Sequence, residues 1–204
     1  QMQRRGGRAS RSEPKRIRFG GGAGDVGTAM VGPSAAAGYS SSFTYRAKPG
    51  EAGALAAGLG AAHPGAVLET HRLDLADRGA VEAFCEKIED TAFYGYVHNA
   101  GQSADALAAM LNQERGEAAM QVNFWALTRL AKTRMRGMIR ARTGRIVAIG
   151  SVAALQANAG NAAYAATKGA LISYCRTLAI ETAKRGITVN VLAPGFIDTE
   201  MMAP

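Results

Sequence analysis

From residue 17 onward the chain alternates short strand-like segments with longer helical ones, a pattern that admits few architectures other than a parallel sheet with helices on its faces. Strands are predicted near 17–20 ("IRFG"), 39–45 ("YSSSFTY"), 66–71 ("AVLETH"), 94–98 ("YGYVH"), 145–150 ("RIVAIG") and 187–192 ("ITVNVL"), with helices filling the gaps. The clearest helix is 78–90, where Val81, Phe84, Cys85 and Ile88 recur at i, i+3, i+4 and i+7. A second, from about 114 to 141, carries Phe124, Leu127, Ala131, Met135 and Met138 on one stripe, and a third spans about 162–184. No internal repeat or linker divides residues 17–204, so one α/β domain with a doubly wound parallel sheet is expected.

Directly after the first predicted strand stands "GGGAGDVG", residues 20–27. Glycines at a strand-to-helix turn let the backbone approach a pyrophosphate, whose charge then meets the amides of the following helix. Gly21, Gly24, Asp25, Val26 and Gly27 are therefore candidate nucleotide-binding positions in a Rossmann-like βαβ unit. The second strand ends at Tyr45 and Arg46, with Lys48 close behind and no acidic residue placed to hold a ribose 2′-hydroxyl. A cation there suits a 2′-phosphate and favours NADP(H) over NAD; an exposed loop arginine is the alternative. Asp74, after the third strand, is placed to bond an adenine or to cap the next helix, and Leu75 follows it toward the cofactor.

Composition narrows the classes further. At 204 residues, 48% hydrophobic and 20% charged, the chain has the makings of one full core. No apolar run approaches the roughly 20 residues that span a bilayer, and no secretory h-region opens the chain, so a cytoplasmic protein without a membrane partner is expected. Cys85 and Cys175 each fall in an apolar helical stripe and read as packed free thiols, and no His/Cys pattern suggests a metal. The net charge of +8 is concentrated: residues 1–18 hold seven cations against Glu13, or +6, leaving +2 for the rest. Residues 1–16 therefore read as a basic disordered leader or an expression remnant, and nucleic acid is disfavoured as a partner. A basic arm touching phosphates is the rival reading, with steep salt dependence as its signature.

Within "NAAYAATKGALISYC", Tyr164 and Lys168 lie four apart, on one helical face that continues through Leu171, Cys175 and Leu178. Taken alone, the pair reads equally as a snorkelling lysine beside a half-buried tyrosine.

Together these segments resemble the short-chain dehydrogenase/reductase family: the glycine turn, "HNAG" at 98–101, Asn123 in "QVNFWA", Ser151 in "IGSVAA", the Tyr164/Lys168 pair, and "APGFIDTEM" at 193–201. Asn123 precedes Ser151 by 28 residues and Ser151 precedes Tyr164 by 13, and the resemblance covers almost all of 17–204. Within the family the chain is most similar to β-ketoacyl-acyl-carrier-protein reductases, through "GRIVAIGSVAALQANAGNAAYAATKGAL" and "AKRGITVNVLAPGFIDTEMM".

The resemblance implies NADPH-dependent reduction of a β-ketoacyl thioester on acyl carrier protein, in fatty-acid or polyene/polyketide synthesis, by a homo-oligomer, in the family a tetramer. It implies that Tyr164 is the acid, that Ser151 donates to the substrate oxygen, and that Asn123 extends a proton path through water and Lys168. A phenol near pKa 10 is a poor acid at neutral pH, and a nearby ammonium favours phenolate by roughly 1–3 pH units, so Lys168 is expected to lower the Tyr164 pKa. Lys168 and Tyr164 also reach the nicotinamide ribose, Asn99, Ala100 and Gly101 line the cofactor cleft, and Pro194, Gly195, Ile197 and Thr199 lie over the nicotinamide. Arg142 and Arg185 match the basic residues that dock the acidic carrier beside the active site. Rival readings are a reductase of a free small ketone or alcohol, and a nucleotide-binding partner protein without turnover.

Some positions depart from the family pattern. Gly20 stands where Thr is usual, and the usual TGxxxGxG carries Asp25 in place of its second glycine, with Gly24 one place earlier. Gly32-Pro33 is expected to break or kink the first crossover helix, and "YSSSFTY" is polar for a buried strand. The sequence stops at Pro204, before the closing helices and last strand of the family fold, so that end of the fold is expected to be missing.

Overall fold

A computed structural model describes residues 15–197. Six strands, β1 (Arg16–Gly20), β2 (Ser40–Tyr45), β3 (Leu68–Arg72), β4 (Gly95–His98), β5 (Gly144–Ile149) and β6 (Ile187–Leu192), form one sheet in the order β3-β2-β1-β4-β5-β6. Every pairing is parallel. The crossovers are the helices α1 (Asp25–Ala36), α2 (Pro49–Ala62), α3 (Arg78–Lys87), α4 (Gln113–Met120), α5 (Ala126–Ala141) and α6 (Ala162–Ala183). This is the doubly wound Rossmann-like order: strands are added to one side up to β3 and to the other from β4, so the switch point lies between β1 and β4, where such sheets open a crevice at their carboxyl ends.

Two apolar layers sandwich the sheet. Phe19, Val31, Phe43 and Ala52 pack β1 and β2 against α1 and α2. A larger cluster, including Val81, Phe84, Leu127, Met138, Ile146, Leu171, Cys175 and Val189, packs the other face against α3, α5 and α6. Cys85 and Cys175 are free thiols, as their stripes suggested. Arg16, assigned to the leader in the sequence, is the first residue of β1; residues 1–14 of that segment lie outside the described residues. Among the described residues no helix is long and apolar enough to cross a membrane.

Three expectations change. α1 does not end at Pro33 but runs through it to Ala36. Pro33 sits in the last turn, where its missing N–H costs one ladder bond, while Ser34 Oγ donates to Met30 O (2.8 Å) and Ala37 N closes the end on Pro33 O (3.0 Å). The single helix expected over 114–141 is two helices joined by a π-turn, Gln121–Trp125, in which Ala126 N donates five residues back to Gln121 O. Periodicity misses it because the apolar stripe from Phe124 to Met138 begins only inside the π-turn, so α4 offers no phase to compare with it.

The polarity of β2 is also resolved. Ser40, Ser42 and Thr44 share a face by alternation and are buried, yet each hydroxyl has a partner. Ser40 Oγ accepts from Val67 N (3.0 Å), Ser42 Oγ pairs with His71 Nε2 (3.0 Å), and Thr44 Oγ1 accepts from Gly21 N (2.9 Å). These three hydroxyls tie the glycine turn and β3 together, while Ser41, on the opposite face, is buried with its hydroxyl unpartnered.

Candidate active site

The glycine turn is shaped by close approach rather than by its glycine count. Gly21 has a positive φ of 78°, and a Cβ on it would lie 2.9 Å from Ala100 Cα. A Cβ on Gly22 would meet Phe43 Cβ at 2.5 Å, and one on Gly27 would meet Gly21 O at 2.3 Å. Gly24 has nothing within 4 Å and starts α1 from an extended conformation. The tight positions are therefore Gly21, Gly22 and Gly27; Gly22 was missed in the sequence, and Gly24 has no steric requirement for glycine. Gly20 leaves ordinary van der Waals room for a Cβ, so the absence of Thr there strains nothing. Val26 and the exposed Asp25 occupy the first turn of α1, where a carboxylate suits the helix dipole.

Across the crevice, Asn99 N and Ala100 N both donate to Gly20 O (2.9 and 2.8 Å), and Asn99 Nδ2 donates to Gly21 O (2.9 Å). The β4 loop is thus laced to the β1 turn, with Gly101 next in line. Arg46 is exposed just past the end of β2. Asp74 makes a local turn, its Oδ1 accepting from Ala76 N (2.9 Å), while Asp77 rather than Asp74 caps α3. Leu75 is a buried core residue whose carbonyl accepts from Gln121 Nε2 (3.1 Å), so its side chain faces the core and not the cleft.

The strand β5 delivers Ser151 two residues beyond its end, and α6 brings Tyr164 to it. Burial holds the Tyr164 phenol above its ordinary pKa of 10, the neighbouring Ser151 hydroxyl pulls it partly back, and the nearby carboxylate of Asp105 adds to the rise. Lys168 is 2% exposed and donates to Ile149 O at 2.7 Å; burial lowers its pKa from 10.5 to about 8. Its Nζ lies over the Tyr164 ring, 5.6 Å from the centroid. The expected lowering of the Tyr164 pKa by Lys168 is therefore not found: the ammonium is anchored on a strand carbonyl, and desolvation of the phenol dominates.

Asn123 is fully buried in the π-turn. Its Oδ1 accepts from Gln102 N (2.8 Å), and its Nδ2 donates to Gln102 O (2.9 Å) and Thr167 Oγ1 (2.8 Å). Thr167 Oγ1 in turn donates to Tyr164 O (2.8 Å). The side chain clasps the β4 loop to α6 and is spent on those bonds. Gln102 and Thr167 carry no motif signal, and only their distance from Asn123 in space reveals them.

The segment after β6 covers this corner: Gly150 N donates to Leu192 O (2.7 Å) and Val152 N to Pro194 O (3.0 Å). Pro194 is thereby held beside Ser151, with Gly195 and Ile197 exposed beyond it. Thr199 lies outside the described residues. Arg142 and Arg185 are near each other, Arg142 Nη2 donating to Lys184 O (3.2 Å), but they precede β5 and β6. They sit at the amino edge of the sheet, a six-residue strand of roughly 20 Å away from Ser151, so within a protomer they do not flank the active site as expected.

A family model described as short chain dehydrogenase matches residues 16–204. Over 133 residues the chain is 43% identical to the 3-oxoacyl-[acyl-carrier-protein] reductase FabG of Escherichia coli (strain K12), covering 63% of this chain and 54% of that protein. The reductase of the same name from Pseudomonas aeruginosa is 46% identical over 105 residues, covering 52% of this chain and 42% of the relative. The chain thus spans about half the length of the curated relatives it matches. A short-chain dehydrogenase from Sphingobium yanoikuyae, solved in complex with NADPH, superposes with a TM-score of 0.86 at 26% identity, over 92% of this chain and 73% of that one. A short-chain type dehydrogenase/reductase from Mycobacterium ulcerans shares the fold, with a TM-score of 0.84 at 23% identity over 93% and 70% of the two chains.

Proposed function

Because the chain belongs to the short chain dehydrogenase family, we propose that it is an oxidoreductase that uses NADPH to reduce the ketone of a β-ketoacyl thioester carried on acyl carrier protein to the β-hydroxyacyl form. The observation that carries this reading is the placement of the Tyr164 phenol beside the Ser151 hydroxyl, one helical turn from a buried, carbonyl-anchored Lys168 at the carboxyl end of the sheet. Likeness to the reductases from Escherichia coli and Pseudomonas aeruginosa supports the substrate class.

The residues present fit NADPH. Gly21, Gly22 and Gly27 pack too closely against Ala100, Phe43 and the turn's own backbone to carry a Cβ, the tight strand-to-helix turn a pyrophosphate needs; Gly24 at the start of α1 is open, and Arg46 stands at the end of β2, where a 2′-phosphate would lie. Asn99 and Ala100 border the same crevice, and Lys168 retains ammonium protons beyond the one on Ile149 O for a ribose hydroxyl. NADPH, when bound, supplies the hydride. Ser151 donates to the substrate oxygen and stabilises the charge that develops there. Tyr164, held above pKa 10 before substrate and cofactor enter, keeps its proton on Oη and gives it to that oxygen as the hydride arrives at carbon.

The acidic carrier is assigned to Arg142 and Arg185 by resemblance, and assembly into a homo-oligomer with it. Their place at the amino edge of the sheet favours a second reading, a reductase of free small ketones. Turnover of carrier-bound against free acetoacetyl thioester separates the two, with equal rates counting against docking. The test of the chemistry is NADPH oxidation with an acetoacetyl thioester: the wild type is active, and Tyr164→Phe binds NADPH but loses about 10²–10⁴-fold in kcat. A wild type that binds NADPH without turnover, or an active Tyr164→Phe variant, defeats the reading.

A further inference from the structure

Beneath the crevice lies a second polar pair that the chemistry above does not use. Tyr96 and His98 project from β4 to the same face, are both fully buried, and bond to each other, Tyr96 Oη to His98 Nδ1, at 2.9 Å. They lie directly under the glycine turn: a Cβ on Gly20 would sit 3.5 Å from His98 Nδ1 and 3.6 Å from Tyr96 Oη. The backbone of Val122 and Asn123 in the π-turn lies close enough to the ring to favour a proton on it, and with Nδ1 already on Tyr96 Oη the nitrogen left for those carbonyls is Nε2, which is buried and has no hydrogen-bond partner.

Only one proton arrangement suits these neighbours. Carbonyls accept and never donate, so the nitrogen that faces them carries the hydrogen. Nδ1 is then a bare acceptor, and the Tyr96 hydroxyl must be its donor. A doubly protonated ring is excluded by its surroundings: burial, then the charge of Lys168, hold the His98 pKa down to about 3. Burial likewise keeps Tyr96 a neutral phenol, its pKa well above the ordinary value.

We propose that His98 is a positioning residue: as a neutral imidazole with its proton on Nε2, braced by Tyr96, it fixes the π-turn that presents Asn123 to Gln102 and Thr167, and through Thr167 the start of the α6 turn bearing Tyr164 and Lys168. The kinetic consequence rests on the reductase reading; the proton arrangement and the bracing do not.

The test uses the full chain and the variants Tyr96→Phe, His98→Leu and His98→Gln. Nitrogen-15 NMR of the histidine rings, with His98 assigned by its loss in His98→Gln, is expected to show a pyrrole-type Nε2 and a pyridine-type Nδ1, unchanged from pH 5 to 8. Hydrogen exchange in residues 121–125 is expected to rise in Tyr96→Phe and His98→Leu. Their kcat on an acetoacetyl thioester is expected to fall about ten- to hundredfold while KM for NADPH stays near the wild-type value, the mark of misplacement rather than lost binding. His98→Gln, whose amide keeps both an acceptor and N–H donors, recovers most of kcat. A proton on Nδ1, a ring that titrates within that pH range, or unchanged exchange at 121–125 in both disruptive variants overturns the proposal. Should the wild type turn over no thioester, the reductase reading fails, and the NMR and exchange results still decide the role of His98.

Discussion

Thr44 holds Gly21 in place from the neighbouring strand: its Oγ1 accepts from Gly21 N at 2.9 Å, and its own carbonyl takes Gly22 N at 3.2 Å. Two consecutive amides of the cofactor turn are thus fixed by one residue of β2. Replacing Thr44 by Val keeps the shape and removes the acceptor, leaving a Gly21 N–H unpaired. The expected cost is about 1–3 kcal/mol in urea unfolding, with weaker NADPH binding measured by fluorescence. Unchanged values in both would remove Thr44 from the site.

The glycines of the turn separate by crowding. Gly27→Ala drives a methyl to within 2.3 Å of Gly21 O, so a loss of about 1–3 kcal/mol or more and a raised Kd for NADPH are expected. Gly24→Ala meets nothing within 4 Å and is expected to leave Tm unchanged. Thermal unfolding of the two variants side by side checks this.

Lys168 sets activity against stability. Burial lowers its pKa from 10.5 to about 8, so the folded state binds this proton less tightly than the unfolded state. At pH 7 both states hold it, and keeping the charge buried costs roughly 3 kcal/mol. The unfolded chain binds more protons between about pH 8 and 10.5, so stability rises with pH across that window and the penalty is gone above it. Lys168→Met is expected to be inactive yet more stable than the wild type at pH 7, with the gap closing from pH 8 upward in denaturant titrations. A variant less stable at pH 7 would contradict the burial penalty.

Arg46 is expected to read the 2′-phosphate. Arg46→Ala should raise the Kd for NADPH about tenfold to a hundredfold, the worth of a charge-assisted bond, and leave NADH binding unchanged. Equal losses for both cofactors would place the arginine elsewhere.

Much of this was legible in residue order. Strong β-branched runs such as "ITVNVL" locate β6 at 187–192, and the stripe from Tyr164 through Leu178 locates the buried side of α6. What escaped depends on approach in space. Gly22 looks like any other glycine until Phe43 is set against it, and Gln102 is an unremarked loop residue until its backbone meets Asn123. The pKa of Tyr164 misled because spacing along a helix places Lys168 near the ring but says nothing of Ile149 O, which claims the ammonium. Arg142 and Arg185 were matched through the resemblance alone, which does not show that β5 runs between Arg142 and Ser151 and sets both arginines at the opposite end of the sheet from Ser151.

The π-turn at Gln121–Trp125 has a consequence for rotation. One extra residue in a turn sets everything after it about 100° out of phase with what came before. α4 can therefore pack against α6 while α5 is set independently against β4 and β5, and Leu127, Ala131 and Met138 can face the core while Asn123 faces the loop. Removing a single residue there would re-clock the whole of α5, turning its apolar side toward water, so this short stretch is expected to tolerate changes of side chain far better than changes of length.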